Sequence, residues 1–344
     1  MNNLNRLDLK LNHRNWNEAL AYAFNSLITA LPGEVILLLG PSRSGKTRLI
    51  LELIKMLCGN PRNDTTSSYL CSYILAKNTG PHGIFSTKAF TFRMLQMLDH
   101  PSFKLSVSDL EMAARFDRIT ENAMSNMLER AFANRGVRYL VIDEAQHARY
   151  VTKGAQAAHA VLDGWKSLAE SSGFTLVLVG TYPILNVMQN SPHLLGRTRT
   201  IHLPRYKAEA SDLSHFYSIA SKFLECLDTP IDFELKQEIQ RLHRQTFGCI
   251  GLLRSLLIAA NNLACSTETM ITSNILDLVF QPAANLESIW SEIEEGERSL
   301  ETLKIETAGY EVSEGKNPKP KGKTPFQRKP ARIPAGNRSE KRNY

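Results

Sequence analysis

The sequence is poor in cysteine and has neither a long apolar run nor an apolar N-terminal segment, and each absence excludes a class of protein. The five cysteines lack C-x-x-C spacing, which argues against a zinc site or a disulfide framework and favours a reducing compartment. No apolar stretch reaches the roughly 18 residues of a membrane span. The N-terminal residues show no signal-peptide pattern. We therefore expect a cytoplasmic protein with no membrane partner.

An excess of positive charge is confined to one end of the chain. The formal net charge is +7, and residues 311–344 hold ten Lys or Arg against three Glu, which is the whole excess. This segment also holds five of the fifteen prolines. Such a composition predicts a disordered tail. The tail would be a tether for nucleic acid or for an acidic partner protein, or else a solubilising extension.

A phosphate-binding loop stands near the start of the chain. Residues 40–47 read Gly-Pro-Ser-Arg-Ser-Gly-Lys-Thr, which fits G-x-x-x-x-G-K-[ST]. The apolar run 35–39 before the loop predicts a strand, and the apolar residues after it repeat at helical spacing. A strand, a glycine loop and a helix together point backbone N–H groups at a polyphosphate.

The loop predicts an ATP site with magnesium. Lys46 is expected to reach the β- and γ-phosphates, and the Thr47 hydroxyl to ligate Mg²⁺. A chance match in an ordinary glycine loop is the alternative. The predicted ATP-binding residues of the loop are Gly40, Pro41, Ser42, Arg43, Ser44, Gly45, Lys46 and Thr47.

Two adjacent carboxylates strengthen this interpretation. Residues 139–144 read Tyr-Leu-Val-Ile-Asp-Glu, a buried-strand run that ends in acids. Asp143 is expected to bind ATP through the Mg²⁺ shell. Glu144 is expected to orient and deprotonate the attacking water. The alternative is a solvated turn.

Three further positions are candidates for catalysis. Thr181 follows a predicted strand and could contact the γ-phosphate and the attacking water. Arg197, and secondly Arg199, could enter a neighbouring protomer's site as an arginine finger. Arg254 could reach the phosphates from a helical lid. The alternative at each position is an ordinary turn threonine or a surface arginine.

The order of predicted elements indicates an α/β fold with a parallel five-stranded sheet between helices. A helix on the Trp16–Leu31 stripe, capped by Asn15, should precede the sheet and pack in the core. The strands are expected at about 34–39, 69–76, 138–142, 174–180 and 200–203. Helices are expected at 45–58, 87–98, 109–133, 156–171, 211–226, 232–245, 248–263 and 285–303, with no strand after 208.

This order predicts four parts of the chain: an N-terminal helical segment at 1–33, an α/β nucleotide-binding core at 34–207, a small all-helical lid at 208–305, and a disordered basic, proline-rich tail at 306–344. The run Asp143–His147 (D-E-A-Q-H) also matches the acid box of superfamily 2 helicases. We reject that assignment because those enzymes need two similar motor domains, and only one sheet is readable here.

With these residues in place, the chain resembles AAA+ ATPases, and within them the transposition regulators of the TniB/TnsC/MuB group, including those of Tn7-like and CRISPR-associated transposons. The resemblance covers about residues 13–265. It rests on the N-terminal helix, the loop, the D-E-A-Q-H run, Val179-Gly180-Thr181, and Leu195-Gly196-Arg197 leading to Leu203-Pro204-Arg205-Tyr206. Glycine before Arg197 departs from the pattern, since relatives often have a polar residue there.

The resemblance implies an AAA+ P-loop NTPase that hydrolyses ATP with Mg²⁺. It also implies a homo-oligomer, a ring or helical filament, assembled on duplex DNA through backbone contacts without sequence reading. Transposase subunits and a target-selector protein are the implied partners. It places DNA contacts near Lys88 and Arg93, which could otherwise be solvated helix charges, and it suggests that residues 316–344 dock on a transposase.

A different class of function stays open. A P-loop ATPase switch of a signalling or secretion system would also carry a D-E-A-Q-H run, but it would not bind DNA and should stay monomeric with ATP and DNA present. A helicase or a replication-initiator loader would need unwinding activity or an added DNA-reading module, and no helix-turn-helix or zinc motif is evident.

Overall fold

A computed structural model describes residues 12–59, 70–79, 83–103, 114, 116–151, 155–188 and 198–308. The chain divides into two compact units, residues 1–300 and residues 301–344. In the second unit only residues 301–308 are described, and they are helical. The positions of the predicted domain boundaries remain predictions.

Five parallel strands form the central sheet, as predicted. They are β1 (Val35–Leu39), β2 (Cys71–Leu75), β3 (Tyr139–Asp143), β4 (Thr175–Gly180) and β5 (Thr198–His202), in the spatial order β2-β3-β4-β1-β5. Every residue of β1, β3 and β4 is buried. Their Val, Ile and Leu runs suit strands that are covered on both faces.

In the sheet-bearing part, the helices whose bounds lie within the described residues flank the strands along the chain. They are α1 (Arg14–Ile28), α2 (Lys46–Cys58), α3 (Thr87–Met97), α4 (Glu121–Arg135), α5 (Ala155–Ser172) and α6 (Pro183–Met188). Helices α1 and α2 share one core with the sheet, in which Trp16 and Leu27 pack near Leu53 and Val177. The ring of Trp165 on α5 packs against Phe85 and Phe90.

The parallel arrangement brings the chemical residues to one edge of the sheet. The loop follows β1, Asp143 ends β3 and Thr181 follows β4. Since β1 pairs with β4 and β4 pairs with β3, all in parallel, their carboxyl ends lie side by side. This edge is where ligands bind in open α/β sheets.

The chain after the sheet is helical but contains a pair of short strands. The helices are α7 (Ala210–Leu224), α8 (Leu235–Thr246), α9 (Ile250–Ser266), α10 (Ser273–Val279) and α11 (Ala283–Ala308). Strands β6 (Ile231–Asp232) and β7 (Ile271–Thr272) pair in parallel. The prediction of no strand after residue 208 was therefore wrong, because a two-residue strand leaves no periodic pattern to read.

The N-terminal helix differs from the prediction at both ends. His13, and not Asn15, caps α1, because its side chain accepts a hydrogen bond from the backbone N–H of Trp16. Asn15 lies inside the helix and is buried. At the other end Ile28 and Leu31 are 48% and 65% exposed, so they do not join the predicted core stripe.

In the described part of the chain, no single helix is long and apolar enough to cross a membrane. Helices α8 and α9 meet that criterion of length and composition only as a pair, which is bent by 116°.

Candidate nucleotide site

The loop between β1 and α2 has the backbone that phosphate binding requires. Gly45 has φ of 103°, a conformation that favours glycine, and it caps the N-terminus of α2. A Cβ at Gly40 would lie 2.5 Å from the carbonyl oxygen of Leu203, so only glycine fits there. The hydroxyl of Ser44 is buried without a hydrogen-bond partner. The loop therefore presents polar groups at a helix N-terminus, which favours an anion.

Lys46 lies buried within the loop, only 7% exposed. Its ammonium group donates to the carbonyl oxygens of Gly40 at 3.0 Å and Pro41 at 2.7 Å. Burial lowers the pKa of Lys46 to about 8, while the negative charges of Glu144 and Asp143 oppose that shift. The amine is thus held at the loop as a cation that burial makes easier to deprotonate than an exposed lysine.

Asp143 joins the loop to the sheet. The Thr47 hydroxyl donates to Oδ2 of Asp143 at 2.7 Å, and the Tyr73 hydroxyl donates to the same oxygen at 2.8 Å. The backbone N–H of Glu144 donates to Oδ1 at 2.8 Å. The carboxylate is therefore fixed by three donors, and it lies within hydrogen-bonding distance of the predicted Mg²⁺ ligand Thr47.

Glu144 sits in an unusual backbone conformation beside this carboxylate. Its φ is 56°, in the left-handed region that a non-glycine residue rarely adopts. The side-chain amide of Gln146 donates to Oε2 of Glu144 and accepts from the backbone N–H of Thr181 at 3.2 Å. The structure thus links the predicted base, Glu144, to the turn that carries Thr181.

Helix α9 packs directly on the phosphate loop. The backbone N–H of Gly251 donates to the carbonyl oxygen of Arg43 at 2.9 Å, and the Arg43 guanidinium donates to the Ser255 hydroxyl at 3.1 Å. A Cβ at Gly251 would lie 2.2 Å from that same carbonyl oxygen. Arg254 is on this helix, partly buried, four residues after its start, and its role at the phosphates stays a prediction.

The loop borders an open cavity of about 680 Å³, a volume within the range of ligand sites. Lys46, Thr47 and Glu144 all contribute to its wall. The lining residues are Ser42, Arg43, Gly45, Lys46, Thr47, Arg48, Leu51 and Glu144.

Of the two candidate arginine fingers, the structure describes only Arg199. Arg197 lies outside the described residues. Arg199 is on β5, where its guanidinium forms a salt bridge with Glu34 at 3.0 Å and donates to the Thr29 hydroxyl at 2.7 Å. Action on a neighbouring protomer would require Arg199 to leave these partners.

The two predicted DNA contacts also have partners inside the protomer. The ammonium group of Lys88 lies 4.6 Å from the ring centroid of Phe116. Arg93 donates to the carbonyl oxygen of Leu75 at 2.9 Å, and burial lowers the pKa of its guanidinium. A DNA role for either residue stays a prediction. The proposed docking segment 316–344 lies outside the described residues.

Sequence reasoning missed two members of this site. Tyr73 reaches Asp143 only because β2 pairs with β3, and a lone strand tyrosine carries no signal of that. Gln146 was visible within the D-E-A-Q-H run, but its second partner, Thr181, is 35 residues away.

A protein-family model and several solved structures are similar to this chain. Residues 32–188 match the protein-family model described as AAA domain. The ORC2 protein of Aeropyrum pernix in its ADPNP-ADP complexes is similar in structure, with a TM-score of 0.51 and 13% identity over 81% of this chain and 71% of that one. The ADP form of the same protein has a TM-score of 0.50 and 15% identity, over 81% of this chain and 72% of that one. The Walker-type ATPase of Pyrococcus abyssi has a TM-score of 0.48 and 16% identity, over 88% of this chain and 80% of that one. No curated protein matches the sequence.

The fold is therefore the AAA+ P-loop fold, with the parallel sheet, the phosphate loop after β1 and helices on both faces. The AAA domain match ends at α6.

Proposed function

We propose that this protein is a Mg²⁺-dependent ATPase whose nucleotide binds at residues 40–47. The observation that carries the proposal is the 2.7 Å hydrogen bond between Thr47 and Asp143, next to a cavity lined by Lys46 and Glu144. Lys46 would hold the β- and γ-phosphates, and Glu144 would orient the attacking water and accept its proton. The ADPNP-ADP complexes of the ORC2 protein add support from the same fold.

The residues present fit a magnesium ion. The Thr47 hydroxyl and the Asp143 carboxylate are hard oxygen ligands, which Mg²⁺ prefers in nucleotide sites. Their mutual hydrogen bond places both oxygens within reach of one ion. When bound, Mg²⁺ would neutralise charge on the phosphates. The hydrogen bond from Tyr73 would then keep Asp143 oriented as a ligand.

We further infer that the ATPase regulates DNA transposition: it assembles on target duplex DNA and recruits a transposase. The sequence resemblance of residues 143–147 and 203–206 carries this finer step. In the second run, the buried Arg205 pairs with Glu297 at 2.9 Å, and Asn15 donates to the carbonyl oxygen of Pro204 at 3.1 Å. The run thus connects α1 to α11, so its sequence also has a function in the packing of these helices.

Oligomerisation and partner binding complete the proposal. ATP would lie where two protomers meet, so that the nucleotide state controls assembly into a ring or filament on the DNA backbone. A target-selector protein and transposase subunits would bind the assembled form. The basic segment 316–344 would dock on the transposase, and DNA is the alternative partner.

A nitrocellulose filter assay with labelled duplex DNA tests the DNA step. We expect binding that requires ATP, weakens steeply as salt rises, and differs little between unrelated sequences. Binding with the same affinity with and without nucleotide would contradict the proposal. The variant Lys46→Ala is the control, because it should lose nucleotide and DNA together.

A second function is favoured by one observation. Arg93 is already bonded to Leu75, so one of the two predicted DNA contacts is engaged within the protomer. A P-loop switch of a signalling or secretion system would bind ATP in the same cavity but would stay monomeric with ATP and DNA present. Negative-stain microscopy of that mixture separates the two functions, since rings or filaments exclude the switch.

A further inference from the structure

The side chain of Gln146 connects the ends of two neighbouring strands. Gln146 lies in the short 3-10 helix Ala145–Tyr150 that follows β3, and it is 9% exposed. Its Nε2 atom donates to Oε2 of Glu144, and its Oε1 atom accepts from the backbone N–H of Thr181, the residue after β4. One amide group thus bonds both to the proposed base and to the turn beyond the next strand.

Gly180, the last residue of β4, lies close to this amide. A Cβ at Gly180 would lie 2.7 Å from Oε1 of Gln146, so any side chain at the last residue of β4 would displace this amide. Glu144 adopts the left-handed conformation, and its backbone N–H donates to Oδ1 of Asp143. Such a conformation persists only where the surroundings fix it.

We propose that Gln146 is a positioning residue for ATP hydrolysis, which holds the Glu144 carboxylate in one orientation and ties that orientation to the turn at Thr181. This inference rests on the proposed ATPase function. A general base acts only when it lies within reach of the proton that it accepts. An exposed glutamate samples several rotamers, and a hydrogen bond from a buried amide restricts them. Gln146 therefore acts through Glu144 and touches no phosphate itself.

The first test removes the amide. Gln146→Ala should lower kcat about tenfold or more, whereas the affinity for ATP should change less than about threefold, because the loop residues hold the phosphates. Gln146→Glu keeps the size of the side chain but sets a carboxylate against Glu144, so its kcat should fall at least as far. An unchanged kcat in both variants would overturn the inference.

A double-mutant cycle with Gly180 gives a measurement that general damage to the fold would not reproduce. Gly180→Ala adds a methyl group against Oε1 of Gln146 and should lower kcat by displacing the amide. In the Gln146→Ala background the same methyl group meets no amide oxygen, so kcat should fall no further. Losses that multiply in the double variant would overturn the inference. Gly164→Ala, in α5, is the matched control because its Cβ meets nothing within 4 Å.

A third background separates this inference from the proposed function. In Glu144→Gln the base is absent, so adding Gln146→Ala should cost no further activity. If Glu144→Gln itself hydrolyses ATP at the normal rate, the assigned function of Glu144 fails. If Glu144→Gln is slow but Gln146→Ala is normal, only the positioning function of Gln146 fails.

Discussion

The ammonium group of Lys46 is a cation of the loop that the phosphates of ATP would contact. Its pKa is lowered to about 8 by burial, so in the free protein it loses its proton within an accessible pH range. Bound phosphates favour the charged form and raise that pKa. Binding above pH 8 must therefore take up a proton, and binding below it need not.

We accordingly predict that ATP affinity is nearly constant below about pH 8 and falls by up to about tenfold per pH unit above it. Titration calorimetry between about pH 7 and pH 9.5, in buffers of different ionisation enthalpy, measures both the affinity and the proton uptake. Lys46→Arg should bind more evenly across this range, because a guanidinium stays charged. The same decline in Lys46→Arg would contradict the prediction.

Tyr73 gives a second prediction at this scale. Its hydroxyl orients Asp143, so Tyr73→Phe should raise the Mg²⁺ concentration needed for half-maximal ATPase activity about tenfold. The ATP affinity measured without Mg²⁺ should not change. Magnesium titrations of the steady-state rate provide the measurement.

Tyr139→Phe is the matched control for Tyr73. Tyr139 is also a strand tyrosine, but its hydroxyl donates to the carbonyl oxygen of Leu27 at 3.2 Å, away from Asp143. Equal magnesium requirements in the two variants would mean that the Tyr73 hydroxyl does not tune the metal site.

Whether a residue of the site could be predicted depends on how far its partners lie along the chain. The loop 40–47 and the acids 143–144 could be predicted because each is a contiguous pattern with a strand beside it. Tyr73 could not, since its partner Asp143 is 70 residues away. The bonds of Arg93 to Leu75 and of Arg199 to Glu34 depend likewise on tertiary packing.

At the scale of elements, the contact between α9 and the phosphate loop is the feature to perturb. Gly251→Ala would set a methyl group 2.2 Å from the Arg43 carbonyl oxygen, so helix and loop must separate. We expect about 1–3 kcal/mol of lost stability and weaker ATP binding. Thermal unfolding with and without ATP measures both effects.

The control again comes from Gly164, in the middle of α5. Alanine there has open space and favours the helix by up to about 1 kcal/mol. If Gly251→Ala and Gly164→Ala have the same thermal stability and the same ATP affinity, the packing of α9 on the loop does not contribute to either property.

Long, buried helices and strands could be predicted from the sequence, whereas the shortest ones could not. The long apolar runs of β1, β3 and β4 were located to within about two residues, because buried parallel strands read as continuous hydrophobic segments. Helices α6 and α10, with six and seven residues, were missed because they span barely two turns. Thr120 caps α4, so the predicted helix at 109–133 is interrupted before residue 121.

At the scale of the whole molecule, the charge distribution limits how DNA could be held. Residues 1–310 are formally neutral, and the excess of +7 lies in residues 311–344. Backbone binding to DNA must then come from local groupings of Lys and Arg in an assembled form, or from that basic segment. We therefore expect the affinity for DNA to depend strongly on assembly, because many weak phosphate contacts add up along a filament.

The proposed function requires that ATP controls the association of protomers on duplex DNA. The most direct measurement is mass photometry of Glu144→Gln, which should bind ATP but hydrolyse it slowly. With ATP, Mg²⁺ and a long duplex, we predict assemblies of several protomers. These assemblies should disappear when ATP is omitted, or when the same protein also carries the substitution Lys46→Ala. A protein that binds ATP normally yet remains monomeric on and off DNA would contradict the account.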